Sequence, residues 1–541
     1  MPQQPLISVL MPTYNPPLGW LKEAVESVRN QLYENWELCI ADDASTDPAV
    51  RGFLESASQK DQRIKVTFRD ENGHISAASN SALELCEGDW VALMDHDDVL
   101  AEDALYCVAD AINRYPETWL IYSDEDKISE QGYRFEPYFK CDWNRDLFYS
   151  HNMISHLGVY RRELLVEIGG FRTGFEGAQD HDLALRYIEQ IDSKNIRHIP
   201  KVLYHWRRHP GSTTRGLAEK PYSIEAGAKA LQEHFDRQGV AAHVEGSPTG
   251  YRVRYDLPSP APLVSLIIPT RNGHKLLKTC IESIQQKTTY PNYEILIIDN
   301  GSDDERTLKY MKGLSTQPNI SVICDDRPFN FAALNNAVVK EAAGEIIGLV
   351  NNDIEVITPD WLTEMVGLAT QPGVGAVGAK LLYPDGNIQH AGVVLGLGGV
   401  AGHAFKLFPG NDPGYHYRAQ LTSSYSAVTA ACLVIRKSTY LEMDGMDEEN
   451  LTIAFNDIDF CIRVRESGLR NVCTAHATLY HHESATRGHE DNKEKQARFD
   501  KEIWFMQKRW GRALLDDPCY SPNLTLHHED FSYAWPPRVQ F

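Results

Sequence analysis

The stretch PLISVLMPTYN (residues 5–15) decides the fold, because the chain writes it twice. It returns as PLVSLIIPTRN (residues 262–272), an offset of 257. Each copy is a short apolar, β-rich run that stops at a proline and a threonine. A helical segment follows (18–31 and 276–286), then a second apolar strand, ELCIAD or EILIID. Strands alternating with helices predict a parallel sheet with helices on both faces. In such sheets the functional groups gather beyond the C-terminal strand ends. Polar residues stand at those ends: Thr13 and Asn15, Asp42 and Asp43, then Asp95 to Asp98. In the second copy they are Thr270 and Asn272, Asp299, then Asn351 to Asp353.

The echo continues along the chain. LMDHDDVL (93–100) matches LVNNDIEV (349–356) at an offset of 256, and DHDLALR (180–186) matches DIDFCIR (457–463) at 277. LYH ending at His205 matches LYH ending at His481 at 276. The growing offset marks an insertion in the second copy, mostly between Asp353 and Cys432. Colinear matches over this span indicate duplication of a whole domain. The modules read as 1–245 and 262–541, joined by a Pro-rich linker at 246–261. Helices are expected at 222–239 and 494–510. In the latter, Phe499, Ile503, Met506 and Trp510 follow helical spacing and read as core packing.

Bulk composition narrows the function. With 541 residues, more than one core is expected. A formal net charge of −22 makes a nucleic-acid backbone a poor partner. It leaves room for anionic small molecules held through a cation. The ten cysteines form no CxxC pair and read as buried residues of a reducing compartment. The opening MPQQPLISVLMP has neither a basic start nor a long apolar run and predicts no secretory signal. No stretch approaches the roughly 20 apolar residues of a membrane helix. The expectation is a cytoplasmic enzyme, with a peripheral contact at the inner face of the cytoplasmic membrane left open.

Four features carry chemistry. In DHDD, Asp95 and Asp97 are spaced to converge on one hard divalent cation, Mn²⁺ or Mg²⁺, with His96 pointing elsewhere. Such a cation would hold a nucleotide diphosphate and stabilise it as it leaves. The alternative is a polar turn with capping aspartates. In ADDAST and IDNGSD, an acid at the strand end suits a base N–H or a ribose hydroxyl, and equally an Asx-turn. QDHDLALR and NDIDFCIR each put two acids at a helix start. Asp180 and Asp457 then read either as general bases or as favourable N-terminal charge. His205 and His481 each end a short strand and are candidates for a further metal ligand.

With these stretches assembled, the chain resembles, twice over, the glycosyltransferase family 2 enzymes of the GT-A fold. The motifs are MPTYN, ADDAST, GHISAASNSAL, LMDHDD and QDHDLALR, then IPTRN, IIDNGS, FNFAALNNAV, LVNNDI, FNDIDFCIRVRESG and YHHES. The resemblance implies an α/β chain of two GT-A domains in tandem, Rossmann-like, each a mostly parallel sheet with flanking helices. It implies transfer of a sugar, with inversion, from a nucleotide-sugar donor (a UDP- or dTDP-sugar) to an oligosaccharide or lipid-linked acceptor. The implied donor-binding set is Pro12, Thr13, Asn15, Asp42, Asp43 and Asp95, with Pro269, Thr270, Asn272, Asp299, Asn351 and Asn352 in the second copy. The implied metal set is Asp95, Asp97 and His205, with Asp353 and His481. Asp180 and Asp457 are the implied bases, although Gln179 replaces the customary Glu. The second copy departs at Asn351 and Asn456. It looks most like the bacterial O-antigen and rhamnosyltransferase-like branch, where NND commonly stands for DxD. Its metal binding is expected to be weaker, with solvent or Arg/Lys compensating the charge or the site inactive as the alternatives.

Two other readings compete. One keeps only the first module catalytic, with the second binding carbohydrate or acting as scaffold. The other is a nucleotidyltransferase. The Gly-rich insertion (388–415) lacks the GK[ST] of a phosphate loop and reads as a mobile loop over the second site, or as an irregular hairpin.

Overall fold

The computed structural model describes residues 1–209, 221–482 and 493–539. The chain divides into two compact units. The first runs from Met1 to Val253 apart from Asn144–Leu147, which group with the second, and the second runs from Arg254 to Arg538.

In the first unit Ile7–Thr13 is buried at every position, so both faces of this strand are covered. It pairs in parallel with Trp36–Asp42 on one side and Trp90–Leu93 on the other. Ile64–Phe68 extends the parallel sheet beyond Trp36–Asp42. The helix Leu18–Arg29 covers the sheet with Leu21, Ala24, Val25 and Val28, which share one face at helical spacing. Beyond Trp90–Leu93 the order continues with Gly158–Arg161, Leu120–Ile128, Ile196–Arg207 and the short Val99–Leu100. These mix antiparallel and parallel pairs.

The second unit repeats this order strand for strand: Ile320–Cys324, Tyr293–Asp299, Val264–Thr270, Ile346–Val350, Cys432–Arg436, Val374–Leu382, Arg470–His481 and Ile354–Val356. The bottom edge of the sheet is pinned alike in both. Ser8 donates to Glu37, which also accepts from the Gly88 amide; Ser265 donates to Glu294, which accepts from the Ala343 amide. A Cβ on Gly88 or Gly344 would meet the carbonyl oxygen of Leu6 or Leu263 at 2.6 or 2.7 Å. The glycines are there because backbone passes over backbone.

The register fixes where the polar ends fall. Thr13 sits beside Asp42, and Thr270 beside Asp299. The order in which the chain adds strands reverses between Ile7–Thr13 and Trp90–Leu93, its first and fourth strands, and the acidic run leaves the sheet there. This is the crevice at which α/β sheets hold ligands.

Two expectations need correction. Residues 246–261 are not simply a linker. Ala242–Ser247 and Gly250–Tyr255 form a hairpin that packs on the helix Pro221–Gln238. Tyr251 is buried so closely over Gly227 that a Cβ there would lie 1.8 Å from its hydroxyl. The alternation in GYRVRY was the strand signal, hidden by flanking Pro, Gly and Ser. Nor is the insertion a mobile loop. Its short strands Ile388–His390 and Val393–Leu395 are buried and Ala401–His403 is half-buried. Its Leu395 amide donates to Asp517, and Phe405 stacks on Phe531 at 4.2 Å, so the C-terminal segment holds it.

Among the described residues no helix is long and apolar enough to cross a membrane. The C-terminal helix spans Lys493–Trp510, with Met506 fully buried and Phe499 stacked on Phe455. The hydrophobic stripe did not reveal Glu502, also buried, which accepts the amides of Ile453 and Ala454.

Candidate functional site

Both modules build the same first corner. The amide of Asn15 donates to Ser45 Oγ at 2.9 Å, the Ser45 amide to Asp42 at 3.2 Å, and the Thr46 amide to Asn15 Oδ1 at 2.8 Å. The second module repeats the links with Asn272, Ser302, Asp299 and Asp303 at 2.8, 3.0 and 3.0 Å. Asn15 and Asn272 thus brace the loop and sit at φ 43° and 58°, which Asn tolerates better than most residues. Thr13 Oγ1 and Asp42 Oδ1 are buried with no partner among the described residues. Buried polar atoms are normally satisfied, so this pair fits a ligand's donors and acceptors. In the second module Asn352 instead donates to Thr270 Oγ1 at 2.8 Å.

Asp43 is tied up differently from Asp42. Its carboxylate pairs with Arg69 at 2.7 Å and accepts the Gly73 amide. The equivalent Asn300 donates to the carbonyls of Asp325 and Arg327. Pro12 and Pro269 lie in register beside Ala41 and Ile298. Pro12 offers its carbonyl to the His96 ring at 3.2 Å.

The acidic run crosses the strand ends as a turn. Asp98 is buried and accepts from the Tyr204 hydroxyl (2.5 Å) and the Arg207 amide (2.7 Å). Burial, then the charges of Asp97 and Asp95, push its carboxyl well above the ordinary range. Asp97 meets His209 Nε2 at 3.0 Å; burial opposes its ionisation, but the His209 bond and His96 win and its pKa is lowered. The Asp95 carboxylate accepts no hydrogen bond from the described residues, and its pKa is raised by burial and by Asp97 and Asp180, against His156 and His96. The His156 ring stacks on Tyr204 at 4.4 Å and lies edge-on to Trp206.

The two acids of each late helix separate cleanly. On Gln179–Ile188, Asp182 is fully buried between Arg172 and Arg186. On Asn456–Glu466, Asp459 is fully buried against Arg463, with Trp510 donating to it. These acids hold structure. Asp180 accepts from the Asn152 side-chain amide at 2.8 Å and from backbone amides of its own first turn, and Asp457 accepts from Thr429 and from the Ala430 and Ile458 amides. Burial is the leading cause that raises both pKa values, the direction a general base for a hydroxyl requires. Asp180 lies close enough to Asp95 to raise its pKa, so this late-helix carboxylate and the acidic run border the same space.

His205 is a correction. Its Nδ1 meets Asp126 at 2.6 Å, and Arg134 closes on the same carboxylate. The strand Ile196–Arg207 is long, and successive side chains alternate faces. With Tyr204 turned to Asp98, His205 faces away from the acidic run. The register explains why the LYH match misled. Val99 pairs with His205, two residues after Asp97, whereas Ile354 pairs with His481, one residue after Asp353. A one-residue slip in a strand changes the face. In the second module His481 Nε2 lies 3.1 Å from Asp353 and 3.3 Å from Asn351 Nδ2, and its Nδ1 meets Gln389 at 2.6 Å. From the insertion, His390 and His403 face each other Nδ1 to Nδ1 at 2.9 Å. Burial and the neighbouring His403 and His481 hold the His390 pKa well below its ordinary value.

The sequence reading therefore missed Tyr204, His209, His156, Asp98 and the insertion's Gln389, His390 and His403. The only available signals were the fourth acid of DHDD and the histidines of IQHAG and AGHAF.

A duplicated α/β sheet with polar strand ends, an acidic exit and a half-buried carboxylate on a late helix defines a pair of GT-A modules. The glycosyl transferase family 2 profile matches residues 8–169 and 265–438, and the chain belongs to this family. An uncharacterized protein, y4gI, of Sinorhizobium fredii is 52% identical over 98% of this chain and 59% of its own length. The O-antigen biosynthesis protein RfbC of Myxococcus xanthus is 38% identical over 98% of this chain and 41% of its own. The chain thus spans about half the length of these relatives. A solved mannosyltransferase from Pyrobaculum calidifontis, in complex with GDP-Man and Mn²⁺, is 16% identical, covering 48% of this chain and 68% of that one (TM-score 0.35).

Proposed function

We propose that the chain is a bifunctional inverting glycosyltransferase that moves sugars from nucleotide-sugar donors to hydroxyls of a growing bacterial surface polysaccharide, an O-antigen or capsule. The observation that carries the reading is the paired site. In each module a half-buried carboxylate of raised pKa, Asp180 or Asp457, stands apart from a fully buried, arginine-bound neighbour on the same helix turn. The RfbC relative favours O-antigen chemistry.

In the first module Thr13 and Asp42, with unmet polar atoms, receive the nucleoside. Asp43 is committed to Arg69 and shapes that corner without reaching out. The acidic run Asp95–Asp98 fits Mn²⁺ or Mg²⁺: oxygen donors crowd one turn, and no lysine or arginine side chain neutralises Asp95 or Asp98 among the described residues. When bound, such a cation neutralises the departing diphosphate. Asp180 accepts the proton of the acceptor hydroxyl as that oxygen attacks the anomeric carbon, and the nucleoside diphosphate leaves from the opposite face. In the second module Asp457 takes the same part, with Asp353 and His481 at the strand exit.

Several donors (UDP-, dTDP- and GDP-sugars) should be incubated with the full chain and a saccharide acceptor. Release of nucleoside diphosphate with a new glycoside is the expected outcome. Formation of a nucleotide sugar from a sugar phosphate would replace this reading with the nucleotidyltransferase one. Turnover of a single donor, unaffected by Asp457→Asn, would reduce the second module to a scaffold.

A further inference from the structure

We propose that Glu502, on the C-terminal helix Lys493–Trp510, is a positioning residue of the second module. Its buried carboxylate holds the loop 452–454 and thereby sets the approach of Asp457 to the acceptor hydroxyl. The inference rests on the reading of Asp457 as general base and adds what keeps that base in place.

The contacts are specific. Glu502 is 1% exposed, and its two oxygens accept from the Thr452 hydroxyl at 3.2 Å, the Ile453 amide at 3.1 Å and the Ala454 amide at 3.3 Å. Arg498, one turn earlier on the same helix, lies 3.5 Å away as its ion partner. A carboxylate is costly to bury, and here its acceptor capacity goes to the donors of a single loop.

That loop leads directly into the helix Asn456–Glu466. Phe455, between them, sits at φ 60°, a conformation that a bulky side chain keeps only where its surroundings enforce it. Glu502 fixes the two amides before Phe455. Phe499, one turn from Glu502 on the same helix face, stacks on the Phe455 ring at 5.4 Å. Asp457 is the second residue beyond. On its far side Trp510 donates to Asp459 at 3.0 Å. The C-terminal helix therefore holds the chain both before and after Asp457. A general base acts over a narrow range of distance and angle, and a misplacement of about 1 Å can cost about 10²-fold in rate.

The first module meets the same need locally. Counting back from Asp180 and Asp457, Glu176 stands where the second module has Ile453, and Gln179 where it has Asn456. Glu176 accepts the Gly174 amide at 2.9 Å, and Gln179 accepts the Gly177 amide at 2.8 Å. A carboxylate on the loop amides is thus common to both modules. In the second it comes from Glu502, 50 residues beyond Thr452.

The test uses the full chain and follows separately the linkage that Asp457→Asn suppresses and the one that Asp180→Asn suppresses. Glu502→Gln should lower kcat for the Asp457-dependent linkage about tenfold or more, with donor KM within about twofold and the other linkage unchanged. Hydrogen exchange at Ile453 and Ala454 should quicken. In the Asp457→Asn background, Glu502→Gln should alter the residual rate less than about twofold, because it acts through the base. Asp500→Asn, at an exposed acid of the same helix, should change neither linkage. Wild-type kcat in Glu502→Gln overturns the inference. So does an equal further loss in the Asp457→Asn background, or an equal loss from both linkages. Those results leave the transferase reading standing. If Asp457→Asn itself suppresses no linkage, the base assignment fails and the positioning role falls with it.

Discussion

The strand exits LMDHDDVL and LVNNDIEV leave equivalent strands of two sheets with identical order, yet their side chains live in different surroundings. In the first, Asp97 meets His209, and Asp98 is gripped by Tyr204 and Arg207. In the second, Asp353 meets His481, which is braced by Gln389 from the insertion. The scaffold that delivers the turn was kept, including the bottom pin through Glu37 and Glu294. What changed is the donor set at its tip. Fold and ligand chemistry are therefore separable here, and the differences can be reversed one residue at a time.

The largest expected effect concerns the late helices. Asp180→Asn and Asp457→Asn should each lower turnover by their own module about 10²–10⁴-fold, as expected for loss of a general base. Asp182→Asn and Asp459→Asn should instead lower thermal stability, since Asp182 is the carboxylate partner of the buried Arg186 and Asp459 that of the half-buried Arg463. Equal losses of turnover from both members of a pair, without change in melting, would erase the distinction.

Next comes the cation. Asp95→Asn makes the first exit resemble the second and should raise the Mn²⁺ concentration for half-maximal turnover about 10–100-fold. Asn351→Asp should move the second module the other way. Rates measured across a chelator-buffered Mn²⁺ series decide this.

The pH dependence is a smaller effect with a definite sign. Burial raises the pKa of Asp180 and Asp457, and a base must be ionised. Turnover should therefore be present above the raised pKa and lost as pH falls through it. The acid limb should lie above the value of about 3.9 for a free aspartate. A limb at or below that value in kcat profiles would remove these carboxylates from the role.

The smallest effect tests the shared scaffold. Gly88→Ala and Gly344→Ala should each cost about 1–3 kcal/mol, by similar amounts, because each new methyl meets a backbone carbonyl. Calorimetric unfolding would show whether one module tolerates what the other does not.

Much of this was legible in the sequence because it is local or periodic. The parallel strands, the helix Leu18–Arg29 and the polar strand ends follow from apolar runs and turns. Asp180 and Asp457 were visible as acids at a helix start. Their separation from Asp182 and Asp459 was not, because Arg186 and Arg463 decide it through contacts at i+4. His205 was misread because matching LYH letters do not carry strand register. His156 was out of reach for another reason: it approaches Asp95 only through the order of strands in the sheet. The hairpin at Gly250–Tyr255 was masked by composition, although Tyr251 and Val253 alternate with Arg252 and Arg254.

The central claim is two independent transferase sites in one chain, and product structure tests it most directly. The wild type, Asp180→Asn and Asp457→Asn should be given the same acceptor and donor mixture, and the glycosidic linkages read by mass spectrometry and NMR. The account predicts that each variant fails to form a different linkage that the wild type makes. If both variants retain every linkage, or both lose the same one, the account is contradicted.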